Sequence, residues 1–171
     1  MRLILTACLA AAAFVVGAAK ADPKPVAVYR VTPEVADGVL KDIRLDLTFQ
    51  GDLDGSTKID LPDRWSGSDD LWRAIHDVSA SGATVKRTDN TTLVLTHAPG
   101  ARVTLSYKVS QDFQGPISVL NGTPFRPATQ SKWFTAVGWT IFPEIDDRVT
   151  SPVAFEWGQR SEEHTSELQS H

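Results

Sequence analysis

The residues of this chain that could do chemistry are few, and their spacing does not form a catalytic site. Two histidines precede residue 160, His76 and His97, and neither has a second histidine at the spacing used by helical zinc sites. The sequence also lacks the G-x-S-x-G nucleophile turn, the P-loop and the G-x-G-x-x-G dinucleotide motif. We interpret both histidines as turn or rim residues and predict no catalytic residue, cofactor-binding residue or metal ligand in this chain.

Two groups of acidic residues have types that could bind a cation. Asp52–Gly55 has the beginning of a calcium-binding loop but lacks the third acidic ligand and the closing glutamate, so we interpret it as an Asp-Gly hairpin turn. The second group follows Pro143 and consists of Glu144, Asp146 and Asp147. It could hold a cation or a substrate ammonium group, but a solvated loop is the simpler interpretation.

The five tryptophans are the other residues that could form a binding surface. Trp72 and Trp157 fall on apolar faces of their segments, so we expect both in the core. Trp133 and Trp139 lie in an irregular segment and are candidates for an exposed apolar patch of the kind that marks an interface. Burial of these two side chains stays open as the alternative, because large aromatic residues are mostly buried.

Alternation of apolar and polar residues predicts the strands that position these groups. From Val39 to Phe49 every second residue from Ile43 onward is apolar, which predicts one buried face and one solvated face. The same period of two recurs in Arg102–Val109 and Val153–Trp157. A hairpin is predicted from Ala83–Arg87 and Thr92–Thr96.

A first strand and a short helix complete the predicted elements. A first strand, Val26–Val31, is expected to end at Thr32-Pro33, because proline has no amide hydrogen to donate. Leu71, Trp72 and Ile75 would share one face of a helix of about two turns. Many short strands with one helical turn predict a mainly β chain, an antiparallel β-sandwich with one short helix.

The chain is expected to begin with a signal peptide and to continue as one domain. Residues 1–21 contain a basic residue, an uncharged apolar run and the small-x-small ending Ala19-Lys20-Ala21, which predict export to the periplasm or the extracellular space. The single cysteine, Cys8, falls in this segment, so the domain at residues 22–159 is expected to have no disulfide. The net charge of −4, without a basic block, disfavours nucleic acid as a partner, and membranes as well once the signal is removed.

Residues 160–171 differ abruptly from the alternating pattern that precedes them. The run Arg160–Ser170, RSEEHTSELQS, resembles the in-frame translation of a widely used sequencing adapter. We interpret these residues as an artefactual, disordered tail, which would mean that the native reading frame continues differently after Gln159. A native polar tail is the alternative that its composition allows.

The order of several segments carries a family resemblance. In chain order they are Val28–Val31, the strand ending at Phe49, Leu61-Pro62 with Trp65 and Gly67, Tyr107–Val109, and Trp133–Pro143. This order resembles the amino-terminal β-domain of the secreted glycyl aminopeptidase family, zinc metallopeptidases related to PDZ-bearing enzymes. In that family the stretch usually reads L-P-x-W-x-P-G-x-Y, whereas here Arg64 is inserted, Ser66 replaces the proline and no tyrosine follows the glycine, as in a distant branch.

The resemblance implies a parent protein whose catalytic zinc helix lies downstream, in a thermolysin-like domain. It assigns no catalytic or metal residue to this chain, because the family's motifs have no matching positions here, and it places zinc only in the missing domain. The expected partner is the chain's own missing C-terminal catalytic domain. By analogy with the family, the docking face would include Trp133, Phe134, Trp139 and Ile141.

Two other functions fit the same residues. A free-standing periplasmic β-sandwich module could bind sugar or peptide through exposed tryptophans. A small hydrolase is the weaker option, because serine catalysis would need a base and an orienting acid assembled entirely by the tertiary structure.

Overall fold

The alternating segments form β-strands throughout the part of the chain that the structure describes. The structure is a computed structural model and describes residues 25–146, 148 and 150–158. The predicted signal peptide, residues 1–21, and the predicted tail, residues 160–171, lie outside the described residues. The strands are β1 (Ala27–Ala36), β2 (Val39–Gln50), β3 (Ser56–Asp60), β4 (Ile75–Ser81), β5 (Ala83–Arg87), β6 (Thr92–His97), β7 (Arg102–Val109), β8 (Ala128–Thr129), β9 (Phe134–Thr135), β10 (Glu144–Ile145) and β11 (Val153–Trp157).

Two sheets pack face to face, so the predicted mainly β sandwich is confirmed. The larger sheet has the strand order β11-β1-β2-β7-β4 and the smaller one β10-β3-β6-β5, while β8 and β9 pair separately. Neighbouring strands are antiparallel except β1 and β11, which run parallel. No helix among the described residues has the length and apolar character needed to cross a membrane.

Strand β2 shows how the sequence pattern produces the core. Ile43, Leu45, Leu47 and Phe49 are buried, and the polar residues between them lie on the outer face. Leu45 pairs with Tyr107 of β7, and residues of β3 and β6 cover this row from the smaller sheet. Burial of each large aliphatic side chain stabilises the fold by about 1.5–3 kcal/mol.

The predicted two-turn helix is wrong in its length. Leu71–Ala74 forms a single 3-10 turn, and Ile75 begins strand β4 instead of continuing a helical face. Ile75 pairs with Val109 at the edge of β7. The tertiary pairing therefore overrides the local helical pattern, because β4 completes the hydrogen bonds of that edge. The other 3-10 turns of the described residues are Val119–Asn121 and Gly138–Thr140.

The interpretation of Asp52–Gly55 as a hairpin turn also needs correction. The turn exists, with Gly55 at φ +84° and its amide donating to the Asp52 carbonyl oxygen. However, β2 and β3 belong to different sheets, so the turn carries the chain across the sandwich.

Strand β1 extends further than the predicted end at Thr32-Pro33. It continues to Ala36 with a register shift between Glu34 and Val35. Strand β11 pairs with β1 only as far as Val31, so Pro33 lies where β1 has β2 as its one neighbour. A proline is tolerated on such an edge because no partner there requires its amide hydrogen.

Candidate docking surface

The four predicted docking residues do not share one surface. Trp133 and Trp139 are 52% and 57% exposed, whereas Phe134 is half-buried and packs against the core. Ile141 is only 5% exposed and belongs to the core. The side chain of Ile141 therefore packs inside the sandwich, and the docking role of the four residues stays a prediction.

The two exposed tryptophans lie on different parts of the molecule. Trp133 is in the turn between β8 and β9, and this turn is fastened to the start of β2 by the bond from the Leu40 amide to the Ser131 carbonyl oxygen, at 2.9 Å. Trp139 follows in the Gly138–Thr140 turn, where its ring stacks on that of Trp65 with 5.6 Å between centroids.

A groove lies where the larger sheet extends beyond the smaller one. Phe155 of β11 pairs with Tyr29 of β1, so both side chains point to the inner face. The rings of Tyr29, Phe142 and Phe155 are in mutual contact, with centroid separations of 4.9–5.4 Å. Together with Trp139 they line a cavity of about 350 Å³, which we call the aromatic groove.

The expectation that Trp157 is in the core is wrong, and the reason is the unequal width of the sheets. Trp157 and Phe155 are 74% and 59% exposed, and Val153 on the same face is also exposed. Strands β4 and β5 follow each other at one side of the sandwich, so the narrower sheet ends at β10, before it reaches β11. Trp72, expected in the core as well, is partly buried and packs against it.

Two tyrosine hydroxyl groups hold the segment that forms one wall of the groove. Tyr29 donates to the Pro143 carbonyl oxygen at 2.5 Å, and Tyr107 donates to that of Ile141 at 3.0 Å. Burial, together with the nearby Glu144 carboxylate, raises the pKa of Tyr29 to about 12. Burial also raises the pKa of Tyr107 well above its ordinary value, so both phenols remain donors at neutral pH.

The charges around the groove are unevenly balanced. Glu144 lines it, and none of the ion pairs among the described residues includes the Glu144 carboxylate. Arg148 also lines it, but its guanidinium forms an ion pair with Asp52 and donates to the Gln50 carbonyl oxygen at 2.7 Å. The groove therefore has an apolar floor and an excess of negative charge.

The predicted rim histidine His97 belongs to a polar network at the turn between the sheets. Its Nε2 atom is 2.9 Å from the Thr57 hydroxyl, which donates to Asp52 at 2.7 Å. Partial burial opposes ionisation of Asp52, but the hydrogen bonds from Thr57 and Arg148 outweigh it, so the pKa of Asp52 is lowered. The network joins the ends of β2, β3 and β6, which is a structural role.

The other histidine, His76, lies on the outer face of the larger sheet. Its ring nitrogens are 3.5 Å from Asp42 and 3.6 Å from Asp77. No group of three or more His, Cys, Asp or Glu residues in the described part of the chain is arranged to hold a metal ion. The acidic residues Glu144 and Asp146 differ in their partners. Asp146 contacts Lys58 at 3.5 Å, whereas no ion pair among the described residues includes Glu144.

Comparison with known proteins gives a similarity of fold. No family model matches the sequence, and no curated protein matches it. Among solved structures, an aminopeptidase N family protein from Idiomarina loihiensis is similar, with a TM-score of 0.60 and 18% sequence identity over 77% of this chain. The matched region is 22% of that protein, so the β-sandwich described here has the fold of one part of a larger aminopeptidase N family protein.

Proposed function

We propose that this chain is a non-catalytic β-domain of an exported, peptidase-like protein related to the glycyl aminopeptidases. The observation that carries the proposal is the inner face of β11, where three apolar side chains lie uncovered although they point toward the core side of the sheet. A face of this kind usually marks an interface. The fold shared with part of a larger aminopeptidase N family protein supports a domain as its partner.

In this proposal the partner is a catalytic domain encoded downstream, and the aromatic groove is the docking site. The groove offers Trp139 and Phe155, and Trp157 extends the exposed apolar face of β11 beyond it; of these three only Trp139 was among the docking residues expected from the sequence. Zinc and the catalytic groups would belong to the partner domain. The β-domain would wall the substrate cleft and position the partner without taking part in bond breaking.

The source gene tests the proposal directly. The native reading frame beyond Gln159 is expected to encode an H-E-x-x-H motif within the next few hundred codons. A frame that continues through such a length without that motif would overturn the proposal.

Co-expression of the two domains tests the docking site. Phe155→Ser should reduce co-purification of the downstream domain by at least about tenfold, because a large apolar contact is lost. Leu53→Ser is the matched control, since Leu53 is 82% exposed in the turn before β3 and lies outside the groove. Equal effects of the two substitutions would show that the groove is not the docking site.

A second function is favoured by the stacked pair Trp65 and Trp139 with the exposed Trp133. The stacked pair and Trp133 could form two separate binding surfaces for sugar rings or peptide side chains in a free-standing periplasmic module. Glycan and peptide arrays probed with the chain distinguish this function, because binding should disappear in Trp133→Ala and Trp139→Ala. Arrays without a signal would exclude it.

A further inference from the structure

The molecule also contains an exposed segment whose side chains are complementary to the aromatic groove. Lys132 and Trp133 are adjacent and both exposed, at the tip of the turn between β8 and β9. They present a large aromatic side chain directly beside a cation. The groove presents the complementary pair, an apolar floor and the Glu144 carboxylate.

The size of the groove fits a single large side chain. Its volume of about 350 Å³ is at the lower end of the range for ligand pockets, which is about 300–1,000 Å³. Its walls are aromatic rings in mutual contact, and the bond from Tyr29 to Pro143 holds the two sides together. A planar indole would find ring faces and edges to pack against.

The negative charge of the groove favours a cationic residue next to the inserted side chain. An apolar group that covered Glu144 would remove its carboxylate from water, which is unfavourable without a cation to pair with it. Arg148 does not supply that cation, because Asp52 already neutralises it. A lysine next to the inserted ring would form the missing ion pair.

The turn that carries Trp133 cannot reach the groove of its own molecule. It is fastened at Leu40, which pairs with Val35 of β1, whereas the nearest residue of β1 that lines the groove is Tyr29. These positions on β1 are separated by about 20 Å, since a strand rises roughly 3.3 Å per residue. One side chain does not span that distance, so the contact has to be between molecules.

We propose that copies of this chain associate head to tail, with Trp133 of one copy inserted in the aromatic groove of the next and its Lys132 paired with Glu144. Such a contact uses different surfaces on the two copies, so a dimer keeps one free Trp133 and one free groove and can add further copies as concentration rises. The contact is small, and the association is therefore weak and reversible. A catalytic domain seated in the groove would compete with it.

The test is sedimentation velocity of the full chain over a range of concentrations. The wild-type chain should form dimers and larger species as concentration rises. Trp133→Ser (the donor variant) removes the inserted side chain, and Phe155→Ser (the acceptor variant) removes a wall of the groove. Each should weaken association by at least about tenfold. An equimolar mixture of the two variants should form a dimer that grows no further, because each retains the half that the other lacks.

Charge reversal identifies the ion pair. Glu144→Lys and Lys132→Glu should each weaken association about fivefold, and the double variant should recover it. Glu156→Lys is the control, since Glu156 lies on the opposite face of β11 and pairs with Arg30. Circular dichroism of every variant checks that it is folded.

Three results would overturn the inference. A chain that stays monomeric at every concentration excludes it, and so does association that Trp133→Ser leaves unchanged. A mixture of the donor and acceptor variants that remains monomeric excludes it as well. The result does not bear on the proposed function, which depends on the downstream reading frame and on co-purification with the partner domain.

Discussion

At the scale of single residues, two phenols connect the halves of the sandwich. Tyr29 and Tyr107 lie on the inner face of the larger sheet and donate to carbonyl oxygens of Pro143 and Ile141 in the opposite wall. The chain after β9 has little regular structure, so these bonds satisfy carbonyl groups that no strand partner reaches. Each contributes on the order of 1 kcal/mol to stability.

Because of these phenols, the free energy of unfolding of the domain should decrease at alkaline pH. The folded pKa of Tyr29 is about 12, against 10.0 in an unfolded chain, so between these values the unfolded state releases a proton that the folded state keeps. Stability from this group is complete below pH 10 and is lost as pH rises toward 12. Urea midpoints measured from pH 9 to 12 should stay level up to about pH 10 and fall from there to pH 12.

The variant Tyr29→Phe isolates this contribution. At pH 8 it should lose about 1 kcal/mol, because the bond to Pro143 is missing. Between pH 10 and 12 the stability of the variant should decline less steeply than that of the wild type. The difference between the two slopes should be about 1.4 kcal/mol per pH unit. Parallel curves for the two proteins would contradict the assignment.

At the scale of elements, one glycine carries the chain from one sheet to the other. Gly82 is the single residue between β4 and β5, which belong to different sheets, and its φ is +78°. A Cβ atom added there would lie 2.5 Å from the carbonyl oxygen of Arg102. Neither the dihedral angle nor the space suits any other residue.

Substitution at this corner should therefore be costly. Gly82→Ala is expected to lose at least about 2 kcal/mol more than Gly115→Ala, through the contact with backbone that cannot move aside. Gly115 is the matched control because its φ is +83° and nothing lies within 4 Å of an added Cβ, so it reports about 1–2 kcal/mol of backbone strain alone. Equal unfolding midpoints in urea for the two variants would show that the backbone around Gly82 can adjust to the added Cβ atom.

At the scale of the whole molecule, the described residues are held together by an apolar core between the two sheets. The described residues contain no group suited to a metal, and the sequence has one cysteine, Cys8, ahead of the domain. The core instead unites residues from both sheets, with a free face at β11. Among the described residues, the inner face of β11 is therefore a part of the sandwich that the smaller sheet leaves uncovered.

Chelators and reductants should consequently leave the fold unchanged. The thermal midpoint of the chain in EDTA or in dithiothreitol is expected to equal that in buffer, because a bound metal or a disulfide would raise it. Differential scanning fluorimetry with and without added zinc provides the measurement. A midpoint that EDTA lowers, or that zinc raises at stoichiometric concentration, would refute this expectation.

Much of the architecture could be predicted because alternation is a local property. Arg102–Val109 and Val153–Trp157 are strands with the predicted bounds, and the hairpin of β5 and β6 was also predicted. The helix after Pro62 was overestimated, since the pattern of Leu71 and Trp72 does not show that the edge of β7 needs a strand. Local signals predicted the strands with clear alternation and failed where a distant partner decided the type or length of an element.

The candidate site was less predictable than the fold. Trp139 was a candidate for exposure with burial left open, while Trp157 was expected in the core because it falls on the apolar face of an alternating strand that also includes Phe155. The pattern does show which side chains share a face of β11. It does not show whether a second sheet covers that face.

The amino-acid sequence alone determined that this protein is a β-sandwich with alternating strands and no recognisable catalytic motif. The tertiary structure decided where the sandwich is incomplete, which phenols hold its irregular wall and which side chains line the aromatic groove. The physical reason is that side-chain alternation depends on neighbouring residues, whereas exposure of β11 depends on the relative widths of two sheets. Those widths result from pairings between residues far apart in the chain.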